Sequence, residues 1–171
     1  MTQELEKIIE NLQQSESLIL ANRTYSEESI VNESLQCTIL IELNILNSEF
    51  TEIDFIGSDI VQCTFQNCKF ENVEFRKCEF LNSTFLNCTF QNCDITRASF
   101  EEGKFKNCKL INNNLKASSF SQFEFIETTF EDNNMDLVSV ESSKIWKLKH
   151  CIEIKEDSYL ENFLDNTCSK D

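Results

Sequence analysis

Nine cysteines are the residues with the most obvious chemical potential in this chain of 171 residues. Their thiols could pair as disulfides or bind zinc. However, the sequence holds no C-x-x-C pair, and zinc sites usually need closely spaced ligands. Cys68, Cys88 and Cys108 are separated by twenty residues each, which indicates a repeated structural position. We interpret them as small buried side chains in a reducing compartment, with disulfide formation or metal binding as the alternatives.

Few other residues suit catalysis. His150 is the only histidine and has no evident nucleophile to activate, so we expect it to be solvated. Glu101 and Glu102 are adjacent carboxylates, which fit a charged surface better than an acid–base pair. Gly57 and Gly103 are the only glycines, too few for the loops that hold phosphates. The sequence therefore predicts a protein that is not an enzyme and that uses no cofactor or metal.

Composition narrows the class of partner. The chain is 40% apolar and 26% charged, which suits one domain with a buried core. It holds neither a run of twenty apolar residues nor a basic, apolar leader, so we expect a cytoplasmic protein without membrane contact. A formal net charge of -15 repels nucleic acid and anionic lipid. The expected partner is therefore another protein.

A period of five organises the chain. Every position divisible by five from Ile30 to Ile145 is apolar, twenty-four in succession, and thirteen of the fifteen phenylalanines lie at these lattice positions. At an apolar frequency of 40%, chance would produce this run on the order of 10⁻¹⁰ of the time. A period of five fits neither a helix nor a strand, so the backbone must turn once per repeat and coil as a solenoid.

A second position supports the same repeat. Two residues before the lattice position the side chain is mostly small, and it points to the same side of an extended segment as the lattice residue. We call it the small site, and its members include Cys63, Cys68, Cys78, Cys88, Cys93, Cys108, Ser48, Ser58, Ser83, Ala98 and Ser118. Cys37, Cys151 and Cys168 lie off this site and are expected near solvent or a chain end.

Residues 63–97 read CTFQN CKFEN VEFRK CEFLN STFLN CTFQN CDITR. This segment resembles the pentapeptide-repeat family, whose pattern is a small residue, a polar residue, Leu or Phe, and two polar residues. The resemblance covers residues 28–147 and implies an all-β fold, a right-handed quadrilateral parallel β-helix of about six coils with four pentapeptides in each coil. Phe often replaces Leu here, and Cys or Ser replaces Ala, without threatening that fold.

Four repeats in a coil stack residues that are twenty apart at strand spacing. Phe65, Phe85, Phe105 and Phe125 then share one side, and Phe50, Phe70, Phe90 and Phe130 share another with Leu110. Asparagine follows the same rule, in the columns Asn47, Asn67, Asn87, Asn107 and Asn72, Asn92, Asn112. Because asparagine tolerates turn conformations, we place these columns at the corners.

The ends require caps, since a terminal coil exposes backbone and apolar rings. We divide the chain into a cap helix and connector over 1–29, the β-helix over 30–145, and a C-terminal strand and helix over 146–171. Residues 2–14 form the predicted cap helix, whose apolar stripe is Leu5, Ile8, Ile9 and Leu12. In the connector, we expect an imperfect first coil that contains Leu18, Leu20 and Tyr25.

After the repeats, residues 151–154 predict a strand, and Ser158 with Glu161 predicts a capping box before a short helix. That helix would present three apolar residues to the terminal coil or to a second subunit: Leu160, Phe163 and Leu164. The sequence fits both a monomer and a homodimer formed through an end cap.

Charge differs between the sides of the predicted coil. The first wall, centred on Leu40, Ile60, Phe80, Phe100, Phe120 and Val140, carries only acids, which are Glu42, Asp59, Glu79, Glu101, Glu102 and Glu141. The second wall, centred on Phe65, Phe85, Phe105 and Phe125, is expected opposite the first and sums to about +1 through Lys104, Lys106, Lys144, Glu124 and Glu127. The wall that contains Phe55 and Phe75, which we call the fourth wall, carries balanced positive and negative charge. We interpret the first wall as a binding surface or as a solubilising face.

Two functions follow. A filled rod with flat walls and no cavity favours a rigid scaffold that binds another protein. Alternatively, the chain resembles the bacterial quinolone-resistance members of the family, which imitate duplex DNA and occupy the DNA-binding saddle of gyrase; an acidic rod suits that role. Those relatives look longer and dimerise through a C-terminal helix with a more hydrophobic end, whereas this sequence finishes with the polar DNTCSKD.

Overall fold

The computed structural model describes residues 19–148 and 150–164, which form a four-sided parallel β-solenoid of about six coils with a partial further coil. Each coil takes twenty residues, because the repeat strands below the last coil pair in parallel with the strand twenty residues further along. Each of these strands is three residues long, with the lattice residue pointing inward and its two neighbours outward. The predicted fold class is confirmed.

Three walls are continuous sheets. The first wall contains β1 (Ile19–Ala21), β4 (Ile39–Ile41), β7 (Asp59–Val61), β10 (Glu79–Leu81), β13 (Ser99–Glu101), β16 (Ser119–Ser121), β19 (Ser139–Glu141) and β22 (Ser158–Tyr159). The second wall contains β2 (Thr24–Ser26), β5 (Asn44–Leu46), β8 (Thr64–Gln66), β11 (Thr84–Leu86), β14 (Lys104–Lys106), β17 (Glu124–Ile126), β20 (Ser143–Lys147) and β21 (His150–Ile154). The third wall contains β3 (Ser29–Val31), β6 (Glu49–Thr51), β9 (Lys69–Glu71), β12 (Thr89–Gln91), β15 (Lys109–Ile111) and β18 (Thr129–Glu131). The fourth wall consists of isolated parallel bridges from Ser34 to Asn134.

The order of the walls corrects one expectation. Only two residues separate β10 from β11, so the first and second walls meet at a corner. The second wall is therefore adjacent to the first wall and not opposite it. The third wall lies opposite the first, because successive repeats occupy successive sides of a four-sided coil.

The corners depend on a left-handed backbone conformation. The second residue after each lattice position from 20 to 140 has a positive φ, and asparagine is its most frequent occupant. One corner column is also joined by side chains: Asn67 Nδ2 donates to Asn47 Oδ1 at 2.8 Å, and Asn87 and Asn107 repeat the contact at 2.9 and 3.0 Å. The predicted corner role of asparagine is confirmed.

The interior is a ladder of phenylalanine rings. Phe65 and Phe85 stack with their centroids 5.0 Å apart, and Phe80 and Phe100 stack at 4.4 Å. Within one coil, neighbouring rings such as Phe80 and Phe85 meet edge to face at 5.7 Å. Burial of each ring contributes roughly 1.5–3 kcal/mol, so this ladder is the main hydrophobic contribution to the fold.

Small-site side chains connect successive coils. Ser83 Oγ donates to the Ile60 carbonyl at 3.0 Å and accepts the Cys63 amide at 3.2 Å. Asn113 and Asn133 also occupy small sites, where the sequence pattern did not predict an amide side chain. Asn113 is buried, and its side chain is hydrogen-bonded there: its Nδ2 donates to the Phe90 carbonyl, and its Oδ1 accepts a hydrogen bond from the Cys93 amide. These polar groups are compatible with a dry interior because they satisfy backbone groups at the corners.

The C-terminal end reverses direction. β21 runs antiparallel to β20, and β22 runs antiparallel to β19, so strands cover the last coil on the second and first walls. Helix α1 (Glu161–Leu164) follows. Leu160 is buried, and Phe163 and Leu164 are half-buried against the core, which is the capping arrangement considered above.

One detail of this end differs from the prediction. Ser158 lies in β22, in register with Val140, and α1 begins only at Glu161. Ser158 therefore does not take the position of a helix N-cap, because its backbone belongs to a sheet.

At the other end, the repeats begin before residue 30. Leu20 and Tyr25 lie in β1 and β2, which pair with β4 and β5, so both belong to a first coil. The cap helix predicted over 2–14 and Leu18 lie outside the described residues. No helix in the described part of the chain has the length and apolar character needed to cross a lipid bilayer.

Candidate protein-binding walls

The first wall carries the six acids singled out from the sequence. Glu42, Glu79, Glu101, Glu102 and Glu141 are exposed, and Asp59 is half-buried. Their positions follow from the repeat, since residues on either side of an inward lattice residue must point outward. None of the described residues of this wall is a lysine or an arginine.

The acids are not evenly spread over this wall. Asp59 and Glu79 are direct partners in the register of β7 and β10, so two carboxylates lie side by side. Glu101 and Glu141 share a second column with Ser121 between them, and Ser121 Oγ donates to Glu141 Oε1 at 3.4 Å. Glu102 lies at a corner and accepts a hydrogen bond from Asn82 Nδ2 at 3.2 Å. Like charges at strand spacing are destabilising, so this arrangement costs stability.

The same wall holds an apolar stripe that the sequence reading missed. Its members, Ile19, Ile39, Ile41, Val61 and Leu81, are outward neighbours of the lattice residues in the first four coils. Ile19 is 51% exposed and Leu81 is 39% exposed. The signal was present in the sequence as apolar residues on either side of the lattice positions.

The other walls mix their charges. On the second wall, Lys104 pairs in register with Glu124, and Glu124 pairs with Lys144. On the third wall, Lys69 Nζ lies 2.5 Å from Glu71 Oε2. Lys69 also pairs in register with Glu49 on the neighbouring strand. Opposite charges at strand spacing stabilise a sheet. Only the first wall, among the described residues, therefore combines an apolar stripe with charge of one sign.

A groove at the C-terminal end corrects the expectation that the rod has no cavity. It has a volume of about 510 Å³ and lies between the end of the third wall and the β20–β21 hairpin. Its lining is formed by Glu127, Thr128, Thr129, Lys147, Leu148, His150 and Ile152. The hairpin creates it by turning back at Leu148 instead of continuing onto the third wall. His150 is exposed, as expected, and borders this groove.

The described cysteines are free thiols. Those at small sites are buried, whereas Cys37 and Cys151 are exposed, as predicted; Cys168 lies outside the described residues. Burial raises the pKa of the Cys63 thiol to about 11. It raises the pKa values of Cys78 and Cys93 to about 12. The described residues contain no group of three or more histidine, cysteine or acidic side chains placed to hold a metal ion.

Comparisons with known proteins agree with this architecture. The family profile described as Pentapeptide repeat region matches residues 58–115. No curated protein sequence matches the chain significantly. A trypsin-treated form of QnrB1, a plasmid-mediated fluoroquinolone resistance protein, superposes with a TM-score of 0.64 at 16% identity, covering 74% of this chain and 71% of that one.

Rfr23, a pentapeptide repeat protein from the cyanobacterium Cyanothece, superposes with a TM-score of 0.39 at 8% identity, covering 83% of this chain and 99% of that one. The likeness to QnrB1 supports the fold alone, while the profile match rests on the repeated residues themselves. The period of five, carried through four-sided coils, and the profile match at the centre of the solenoid identify residues 58–115 as a pentapeptide-repeat region.

Proposed function

We propose that this protein is a non-enzymatic scaffold that binds another protein through its first wall. The observation that carries the proposal is the apolar stripe beside the acids of β7 and β10. Ile19 and Leu81 are exposed, and Ile39, Ile41 and Val61 are half-buried; contact with a partner would remove the remaining apolar surface from water, which favours association. Members of this family are generally structural repeat proteins without catalytic activity, which agrees with a scaffold role.

The wall defines the chemistry of the partner. Ile39, Ile41, Val61 and Leu81 would pack against apolar side chains, and Asp59 and Glu79 would face lysine or arginine residues at the rim. The backbone that carries these side chains is hydrogen-bonded to coils above and below, so little ordering accompanies binding. A partner with an apolar strip bordered by basic residues fits this surface best.

Charge reversal on one wall tests the proposal. A variant with Glu79→Lys, Glu101→Lys and Glu102→Lys should lose a partner that the wild-type protein retains on an affinity column. A matched variant on other exposed positions, Glu27→Lys, Glu52→Lys and Glu156→Lys, changes the net charge equally and should retain it. If both variants lose the partner equally, the interaction depends on overall charge and the first wall is not the docking site.

A second candidate function is binding to DNA gyrase as an acidic mimic of duplex DNA. The one-signed charge of the first wall and the similarity of fold to a fluoroquinolone resistance protein favour it. Purified protein at micromolar concentration should then alter supercoiling by gyrase, and added salt should weaken the effect. Unchanged supercoiling together with no salt-sensitive association would remove this candidate.

A further inference from the structure

The third wall ends in an open sheet edge. Among the described residues, its last strand is β18, whereas β22 and β21 extend the first and second walls beyond their last parallel strands. In the coil below, the Cys108 carbonyl accepts the Thr129 amide at 3.0 Å, and the Asn112 amide donates to the Glu131 carbonyl at 2.9 Å. Thr128 and Asp132 hold the equivalent positions one coil higher. By the same pattern, the Thr128 carbonyl and the Asp132 amide would pair with a further strand, and the described residues place no strand there.

The interior beneath this edge is less covered than in any lower coil. Phe130 is half-buried, whereas its column partners Phe50, Phe70, Phe90 and Leu110 are all buried. The groove described above lies over Thr128 and Thr129 and provides access to this edge. An added strand would therefore gain both backbone hydrogen bonds and an apolar contact with Phe130.

The charge beside the edge is mainly negative. Glu127, Glu131 and Asp132 are exposed on or next to β18, and they outnumber Lys147, which lines the groove beside them. Elsewhere the solenoid places lysine opposite glutamate in neighbouring strands, as in the pairs Glu49–Lys69 and Lys104–Glu124. A strand with basic outward residues would repeat that pairing here.

We propose that the edge of β18 binds an extended, positively charged segment of another protein, which adds a seventh strand to the third wall. The central residue of the segment is apolar and lies over Phe130. Its two neighbours point outward, and at least one is a lysine or arginine facing Glu131. A second copy of this chain is a poorer occupant, because pairing two β18 edges would bring the acids of both copies together.

A synthetic peptide tests this site directly. The probe is acetyl-Thr-Ser-Lys-Phe-Lys-Asn-Thr-amide, and binding is followed by backbone amide chemical shifts of the full chain. We expect a Kd of about 1 mM or tighter, with shifts concentrated at residues 128–132. A weaker Kd, or shifts concentrated on the first wall, would overturn the proposal. The location of the shifts separates this site from the scaffold function proposed above.

Two control peptides distinguish strand addition from simple charge attraction. A peptide with an N-methylated first lysine keeps its charge but lacks the amide that would donate to the Thr128 carbonyl, as Thr129 donates to Cys108 in the coil below, so it should not bind. A peptide with glutamate in place of both lysines should not bind either. Equal binding by the methylated peptide would show that backbone pairing is not involved and would contradict the proposal.

Variants of the protein complete the test. Glu131→Lys should weaken binding of the lysine peptide by about tenfold, while the matched variant Glu101→Lys on the first wall should change it less than about twofold. Both residues are exposed, so thermal unfolding of both variants should match that of the wild type. If light scattering shows a dimer that Glu131→Lys dissociates, a second copy occupies the edge and the proposal is wrong.

Discussion

Gly103 lies one coil below Phe123, and a Cβ atom on Gly103 would come within 2.8 Å of Cε2 of Phe123 and 2.3 Å of the Ser83 carbonyl oxygen. Phe123 occupies a small site, in a column whose neighbours include Cys63, Ser83 and Ser143. Its ring packs 5.1 Å from the ring of Phe105 and 5.3 Å from that of Phe120. The missing side chain at Gly103 therefore makes room for a large residue in a position built for a small one.

Gly103→Ala should destabilise the protein by about 1–3 kcal/mol, because the added methyl group overpacks the column. Urea unfolding followed by circular dichroism measures the change. In a Phe123→Ala background the same substitution should cost less, since the ring contact is then absent and only the Ser83 carbonyl remains close. An equal cost in both backgrounds would mean that Phe123 does not restrict position 103.

Phe85→Ala should cost about 3–5 kcal/mol, because Phe85 is fully buried and its removal opens a gap in the ring ladder. Phe130→Ala provides the matched comparison. Phe130 is half-buried at the end of its column, so its loss should cost clearly less. Both free energies of unfolding come from the same urea titration. Retained stability in Phe85→Ala would place this ring outside the core.

Asn87 tests the two roles of a corner residue separately. It has a φ of 54° and takes part in two side-chain hydrogen bonds, with Asn67 and Asn107. Asn87→Gly removes the hydrogen bonds, but glycine adopts the positive φ without strain. Asn87→Ala removes the hydrogen bonds and also strains the backbone, because alanine disfavours a positive φ. We expect Asn87→Ala to be less stable than Asn87→Gly by about 1 kcal/mol in urea unfolding. The reverse order would show that the backbone conformation is not the dominant requirement.

The buried thiols should make stability fall at alkaline pH. Burial raises the pKa values of Cys63, Cys78 and Cys93 above 9.0, so the unfolded chain loses these protons at lower pH than the folded chain does. Their contribution to stability is complete below pH 9 and is lost as the pH rises toward 11–12. Urea midpoints measured from pH 8 to pH 11 should therefore decrease.

A triple variant with serine at positions 63, 78 and 93 is the control, because serine does not titrate in this range. Its urea midpoints should depend less on pH than those of the wild type. Alkylation at neutral pH followed by peptide mass spectrometry adds a second measurement. Cys37 and Cys151 should react in the folded protein, and Cys63 should react only after unfolding. Rapid modification of Cys63 in the folded state would contradict its burial.

Much of the architecture was predictable because the repeat is local and regular. Apolar residues at every fifth position identify the inward side chains, and stacking at intervals of twenty places Phe65 over Phe85 and Asn67 over Asn87. The buried and exposed cysteines separated correctly for the same reason, since the small site has a defined place in each repeat. The acids of the first wall could also be assigned to one side, although their role in binding stays a prediction.

The ends and the exceptions depended on contacts that have no fixed spacing. The turn at Leu148 sends β21 back along β20, so within residues 19–148 and 150–164 no strand pairs with the outer edge of β18, which borders a groove that the repeat pattern does not contain. The room for Phe123 comes from Gly103 one coil away, and Ser158 pairs with Val140 instead of beginning a helix. The period, the inward residues and the columns follow from the order of residues alone, because each repeat specifies its own geometry. The way the coil ends, and the surfaces that it leaves accessible, emerge only in the folded molecule, because distant segments compete there for the same backbone hydrogen bonds.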